Sequence, residues 1–308
     1  MKEEISRRLL QAVTLAGVGL GAYLLWRTLS RFDLDEALRA LPAFPGRNIG
    51  LCILFAAASY LCLTVEDWLG LRYVGRPLPY RKAALTSFVS LSLGHNIGLG
   101  GLSSGAIRYR FYSRWGLSVA DIARLMLFCG ATVVLGLSSV SALVLSLQAS
   151  SAASQLHLSV ATTQMLGAAL GAVAAIYIGL SFWGARIRFR SWQVDIPKPV
   201  YAIAQIAVGT VNYACVAACL YAAVSAVSPA TYPQVVSAFV VGNTASVLMH
   251  VPGGLGVIET AVLYFLPHGT AGLLASLILF RAVYYLLPLG FGLIAFALTE
   301  IMFWRSRG

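Results

Sequence analysis

Ser92–Tyr112 reads SLGHNIGLGGLSSGAIRYRFY, an apolar stretch broken at its centre by Gly98, Gly100 and Gly101 and followed at once by Arg108 and Arg110. The phrase returns 153 residues later. Gly100-Gly101-Leu102 matches Gly253-Gly254-Leu255, and Tyr60 and Cys62 match Tyr213 and Cys215 at the same shift. Residues 83–115 and 235–266 are each apolar, glycine-broken in the middle and too short in either arm to cross a bilayer, so each reads as a re-entrant hairpin of two half-helices. Paired interruptions in matching halves of a membrane protein point to a transport site.

The composition agrees. Hydrophobic residues make up 59% of the 308 and charged residues only 11%, against about 25% charged in a soluble globule. At about 20 apolar residues per crossing, six full spans are expected, near 9–27, 48–70, 117–147, 159–182, 199–226 and 270–302, the two long ones allowing tilt or a bend. The expected fold is an all-α polytopic membrane protein with six spans and two re-entrant hairpins in an inverted repeat. It forms one membrane domain: residues 1–47 as first span and interfacial helix, 48–147 as repeat one, 159–182 as connecting span and 199–302 as repeat two. Leu9–Trp26 is read as a span rather than a cleaved leader, and 30–41 as a helix lying in the interface.

The net charge of +11 is spread between apolar segments, which reports topology and excludes a nucleic-acid surface. Lys2, Arg7, Arg8, Arg72, Arg76, Arg81, Lys82, Arg108, Arg110, Arg114, Arg186, Arg188, Arg190, Lys198, Arg305 and Arg307 fall where cytoplasmic connectors are needed, while 148–158 and 227–234 carry no charge. Both termini are expected inside. One hairpin then enters from the cytoplasmic face and the other from outside, so that their glycine tips meet near the midplane, where irregular backbone needs protein or a water-filled cavity around it. Five cysteines in apolar runs without CxxC spacing read as buried thiols.

Several side chains could carry chemistry. The half-helix beginning near Leu102 offers free N–H groups to an anion, with Gly100, Gly101, Ser103 and Ser104 at its start. Arg108 and Arg110, beside Tyr109, lie further along for forked phosphate contacts; positive-inside anchoring of Arg108, Arg110 and Arg114, with Tyr109 and Tyr112 as interface aromatics, is the alternative. His95 and Asn96 serve either a pathway or the carbonyls of a broken helix. In the second hairpin Asn243, His250, Gly253, Gly254 and Glu259 are the counterparts. Glu259 needs a partner: Arg281, Arg124 or a cationic headgroup. Glu66 and Asp67 are expected to pair with Arg72 or the hairpin arginines. Histidine spacing gives no metal site, no P-loop or nucleophile elbow occurs, and no cofactor is expected.

GGLSSGAIRYRFY at 100–112 followed by WGLS at 115–118, together with PGGLGVIE at 252–259, resembles the membrane half of the lysylphosphatidylglycerol synthetase/flippase family. The resemblance implies a membrane domain that moves aminoacylated phosphatidylglycerol to the outer leaflet of the bacterial inner membrane, with resistance to cationic antimicrobial peptides as the consequence. The sequence ends at Gly308 without the soluble synthase domain of two-part members, so aminoacyl transfer is not expected on this chain. Stand-alone relatives are associated with other lipid carriers, including polyprenol-linked and hopanoid lipids. The expectation is therefore a non-enzymatic lipid translocase with membrane phospholipid as partner and the oligomeric state open. Two rivals are a membrane subunit docking a separate transferase, and a small-ion carrier using His95, His250 and Glu259.

Overall fold

The computed structural model describes residue 39 and residues 44–97, 100–189, 192–248, 252–266 and 270–305. Among these, five helices are long and apolar enough to cross a bilayer: Gly46–Tyr73, Val119–Leu147, Val160–Phe182, Pro199–Val224 and Gly272–Phe303. They reproduce five of the six expected spans. The sixth, near 9–27, and the interfacial helix at 30–41 lie outside the described residues, apart from Arg39.

In chain order the helices are α1 Gly46–Tyr73, α2 Tyr80–Ile97, α3 Gly100–Tyr112, α4 Val119–Leu147, α5 Ala149–Leu156, α6 Val160–Phe182, α7 Pro199–Val224, α8 Tyr232–Leu248, α9 Val257–Phe265, α10 Thr270–Arg281 and α11 Leu287–Arg305. A π-helical turn, Ala282–Leu286, joins α10 to α11. Such turns recur at functional sites. Two features were not foreseen: the short α5 in the uncharged connector, and an antiparallel ribbon of β1 (Arg186–Phe189) and β2 (Trp192–Asp195) before α7. Two-residue strand gaps in an arginine-rich connector leave little periodicity to read.

Local chemistry sets the helix starts. Ser118 Oγ accepts from the Asp121 amide while Asp121 accepts from the Ser118 amide, both at 3.1 Å, a reciprocal cap for α4. Pro199 occupies the first turn of α7, where its missing N–H costs nothing.

The hairpins are lopsided rather than evenly divided. At 1.5 Å per residue, α2 and α8 span about 27 and 26 Å, and the returning arms α3 and α9 about 20 and 14 Å. The entering arms therefore nearly match a hydrocarbon core of about 30 Å while the returning arms fall well short. Each pair is held by close contact. A Cβ on Gly94 would lie 2.9 Å from Ser104 Cβ, joining α2 to α3, and one on Gly242 would lie 3.0 Å from Ala261 Cβ, joining α8 to α9. Helix association in lipid depends on such backbone approach.

The corresponding helices of the two halves, α1 and α7, pack against one another. Ser59 Oγ donates to Asn212 Oδ1 at 2.6 Å, and Cys62 faces Cys215. Both contacts join positions 153 apart, the shift that relates the two motifs. A residue touching its own counterpart is the geometry expected at a two-fold axis, and it matches the repeat of long helix, hairpin and long helix in each half. By contrast α6 buries only Thr163, Gly167 and Ser181, which leaves an apolar helix facing lipid.

Candidate functional site

The tip of the second hairpin is built from backbone that only glycine adopts easily. Gly253, Gly254 and Gly256 have φ of 55°, 63° and 81°, the left-handed region. The turn exposes carbonyls that lipid could not satisfy, and Arg281 from α10 satisfies them. Its Nη1 donates to Gly253 O, its Nη2 to Gly254 O at 3.0 Å, and its Nε to Glu259 Oε1 at 2.7 Å. Glu259 Oε2 in turn accepts from the Gly256 amide at 2.8 Å, capping α9. Of the three partners considered for Glu259, the structure selects Arg281.

The first hairpin meets this tip. A Cβ on Gly253 would lie 3.1 Å from the His95 carbonyl, and His95, Asn96, Gly253, Leu255, Arg281, Tyr285 and Leu286 line one small cavity with room for roughly one water molecule. Asn96 Nδ2 donates to Ser92 O at 2.9 Å and to Tyr285 O at 3.4 Å, so it bridges broken-helix carbonyls. His95 Nδ1 is buried with no hydrogen-bond partner. Its ring stands 6.4 Å from Tyr60 and 6.5 Å from Tyr285. Asn243, on α8 near Tyr213, also leaves its side-chain nitrogen without a partner.

The hairpin arginines are placed differently from the phosphate-fork expectation. Arg108, 3% exposed, turns to Asp67 of α1: its Nε donates at 3.1 Å to Oδ2 and its Nη2 at 2.7 Å to Oδ1. Tyr112, an interface aromatic in the alternative reading of the sequence, is fully buried and donates to Asp67 Oδ2 at 2.8 Å. Arg110 makes a two-point contact with Glu300 of α11 at 2.8 and 2.6 Å, and Arg114 joins the same carboxylate at 3.0 Å. Two forks suited to phosphate are thus engaged by carboxylates that tie α3 to α1 and to α11. Tyr109 remains exposed.

The expected site residues therefore divide. His95, Asn96, Gly253 and Arg281 converge, with Gly254 and Glu259 joined to them through Arg281. Arg108 and Arg110 belong to separate contacts with Asp67 and Glu300, and Tyr109 is exposed. Gly100 and Gly101 open α3 beside Ser103 and Ser104, and Ser103 Oγ donates to Gly94 O at 3.5 Å. His250 lies outside the described residues. Two contributors went unread. Glu300 could have been found as the one acid in the last apolar span, whereas Tyr285 depends on the π-helical turn and left no signal. Among the described residues no His, Cys, Asp and Glu side chains cluster as a metal site would require.

A glycine-built turn held by a buried arginine abuts a second broken helix over a small cavity, within a polytopic all-helical membrane protein. The family model described as the lysylphosphatidylglycerol synthase TM region matches residues 14–292, and the chain belongs to that family. It is similar to the uncharacterized protein slr0712 of Synechocystis, 30% identical over 79% of this chain and 77% of that protein. It is also similar to the inner membrane protein YbhN of Escherichia coli, 26% identical over 88% of this chain and 86% of that protein.

Proposed function

We propose that the chain is a lipid translocase, moving an anionic or aminoacylated phospholipid such as lysyl-phosphatidylglycerol between leaflets of the bacterial inner membrane, with both termini cytoplasmic and no reaction catalysed on the lipid. The observation that carries this reading is the meeting of the two hairpin tips over the cavity bounded by His95, Asn96, Gly253 and Arg281. A headgroup crossing the membrane needs polar contacts on its way, and this cavity offers them where the two hairpins meet.

Arg281 supplies the positive potential. A guanidinium has five N–H groups; three are engaged with Gly253, Gly254 and Glu259 and Tyr285 lies against the same group, so a phosphate oxygen would take over donors released when the tips part. His95 Nδ1 and Asn96 flank the same space. The engagement of Arg108 by Asp67 and of Arg110 by Glu300 moves the phosphate assignment from those residues to Arg281. Parting of the tips toward one leaflet and then the other would carry the headgroup through while the acyl chains stay in lipid along exposed helix faces.

The test is leaflet exchange in vesicles. Purified chain in phosphatidylglycerol vesicles carrying a fluorescently tagged phosphatidylglycerol should render more than the outer-leaflet share accessible to a membrane-impermeant quencher. Arg281→Gln should slow that exchange at least about tenfold, the loss of roughly 1.4 kcal/mol of headgroup stabilisation. Wild-type vesicles indistinguishable from protein-free ones would overturn the reading and favour a membrane subunit docking a separate transferase.

A further inference from the structure

Glu66 and Asp67 stand side by side on α1, 6% and 0% exposed, and among the described residues Arg108 is the one cation against them. Arg108 gives its fork to Asp67, Tyr112 adds a hydroxyl, and Cys129 Sγ lies 3.6 Å from Asp67 Oδ1. Glu66 makes no ion pair among the described residues, and its Oε1 is buried without a hydrogen-bond partner. The other cation that sequence offered, Arg72, lies 3.6 Å over the Trp68 ring instead.

The groups facing Glu66 are Cys62 and Asp67 of its own helix, Arg108 of α3 with Tyr112 behind Asp67, Cys129 and Thr132 of α4, and Tyr213 of α7. Two carboxyls against one guanidinium leave one negative charge uncompensated, at a depth of about 10 Å from the Tyr73 end of the helix. An unpaired carboxylate is not stable there.

From Glu66 the polar atoms continue in two directions. Tyr213 interacts with both Glu66 and Asn243, whose side-chain nitrogen has no partner, and Arg108 interacts with both Glu66 and His95 of the tip cavity. Buried polar atoms without protein partners are places where water is expected.

We infer that Glu66 is a proton-binding site whose loading and unloading accompanies parting of the hairpins and couples proton flow to headgroup movement. The carboxylate takes a proton from hydronium reaching it through one opening and returns it to water at the other, with no other bond formed or broken. The coupling rests on the translocase reading; the proton site itself does not.

Two measurements on the full chain test it. Infrared difference spectra in nanodiscs should show a protonated-carboxyl C=O band that fades as the pH is raised, is absent in Glu66→Gln, persists in Glu259→Gln and is shifted in Glu66→Asp. In phosphatidylglycerol vesicles with sodium-free buffer and a lumenal pH dye, a potassium diffusion potential should acidify wild-type vesicles at least about tenfold faster than Glu66→Gln vesicles, with Glu66→Asp between them. A band unchanged in Glu66→Gln, equal acidification rates, or acidification that requires sodium would overturn the inference. If leaflet exchange is absent while the band titrates, the translocase reading fails and the proton site stands. If exchange is present but the band is missing, the reverse holds.

Discussion

Replacing Asp67 by Asn should separate an architectural Arg108 from a phosphate-binding one. Asp67 is fully buried and the Arg108 side chain is 4% exposed, with donations at 2.7 to 3.3 Å. Removing one partner of a buried pair strands the other charge and costs about 3–5 kcal/mol, whereas removing both together costs far less. Glu66 complicates the single substitution, because its carboxyl is beside Arg108 and can give up a proton to replace Asp67. The cycle is therefore best run in a Glu66→Gln background. There, Asp67→Asn should lower the unfolding free energy by about 3–5 kcal/mol, while Asp67→Asn with Arg108→Gln should cost no more than about 2 kcal/mol. Adding Arg108→Gln to Asp67→Asn should therefore recover at least about 1 kcal/mol, the mark of coupling between the two side chains. The assay is reversible unfolding in mixed lipid–detergent bicelles, followed by helix content as denaturing detergent is added. A cost below about 1 kcal/mol for Asp67→Asn, with no coupling to Arg108, would refute the architectural role and return the Arg108 fork to phosphate.

At the second tip, Gly254→Ala places a side chain at φ 63° with its Cβ 2.7 Å from Ile258 Cδ1, while Gly256→Ala at φ 81° meets open space. Both incur the left-handed penalty of about 1–2 kcal/mol, so thermal stability in detergent should fall for both and further for Gly254→Ala; equal losses would contradict the packing described. Glu300→Gln leaves Arg110 and Arg114 without their shared carboxylate and should destabilise the chain by about 1–3 kcal/mol. Glu300→Asp should recover part of it, and no change in melting temperature would mean the pairs contribute nothing.

How much of this was legible follows from the range of each signal. Hydrophobic runs of about 20 residues report spans directly, and five of those expected coincide with helices. The GG repeat marked both hairpins, but for different reasons: left-handed turns demand glycine at Gly253 and Gly254, whereas Gly100 and Gly101 open the helix α3. A lone carboxylate in an apolar segment must find a partner, so Glu259 and Asp67 were readable as half of a pair. Partner choice was not. Arg281 lies 22 residues from Glu259 and Arg108 lies 41 from Asp67, and which cation reaches which acid depends on how α3 and α10 pack. Arg110 looked available for phosphate only while Glu300, 190 residues away, could not be placed beside it. The π-helical turn that presents the Tyr285 carbonyl to Asn96 left no trace in the sequence, because it changes the bonding of ordinary apolar residues.

The most direct test of the central claim is to tether the tips. Asn96→Cys with Leu255→Cys, in a chain whose five native cysteines are replaced, puts one thiol from each hairpin on the same cavity wall. A short cleavable bis-maleimide should join them within one chain, stop leaflet exchange of tagged phosphatidylglycerol, and release it when the linker is cut. Exchange that continues unchanged with the two tips joined would contradict passage of the headgroup between them.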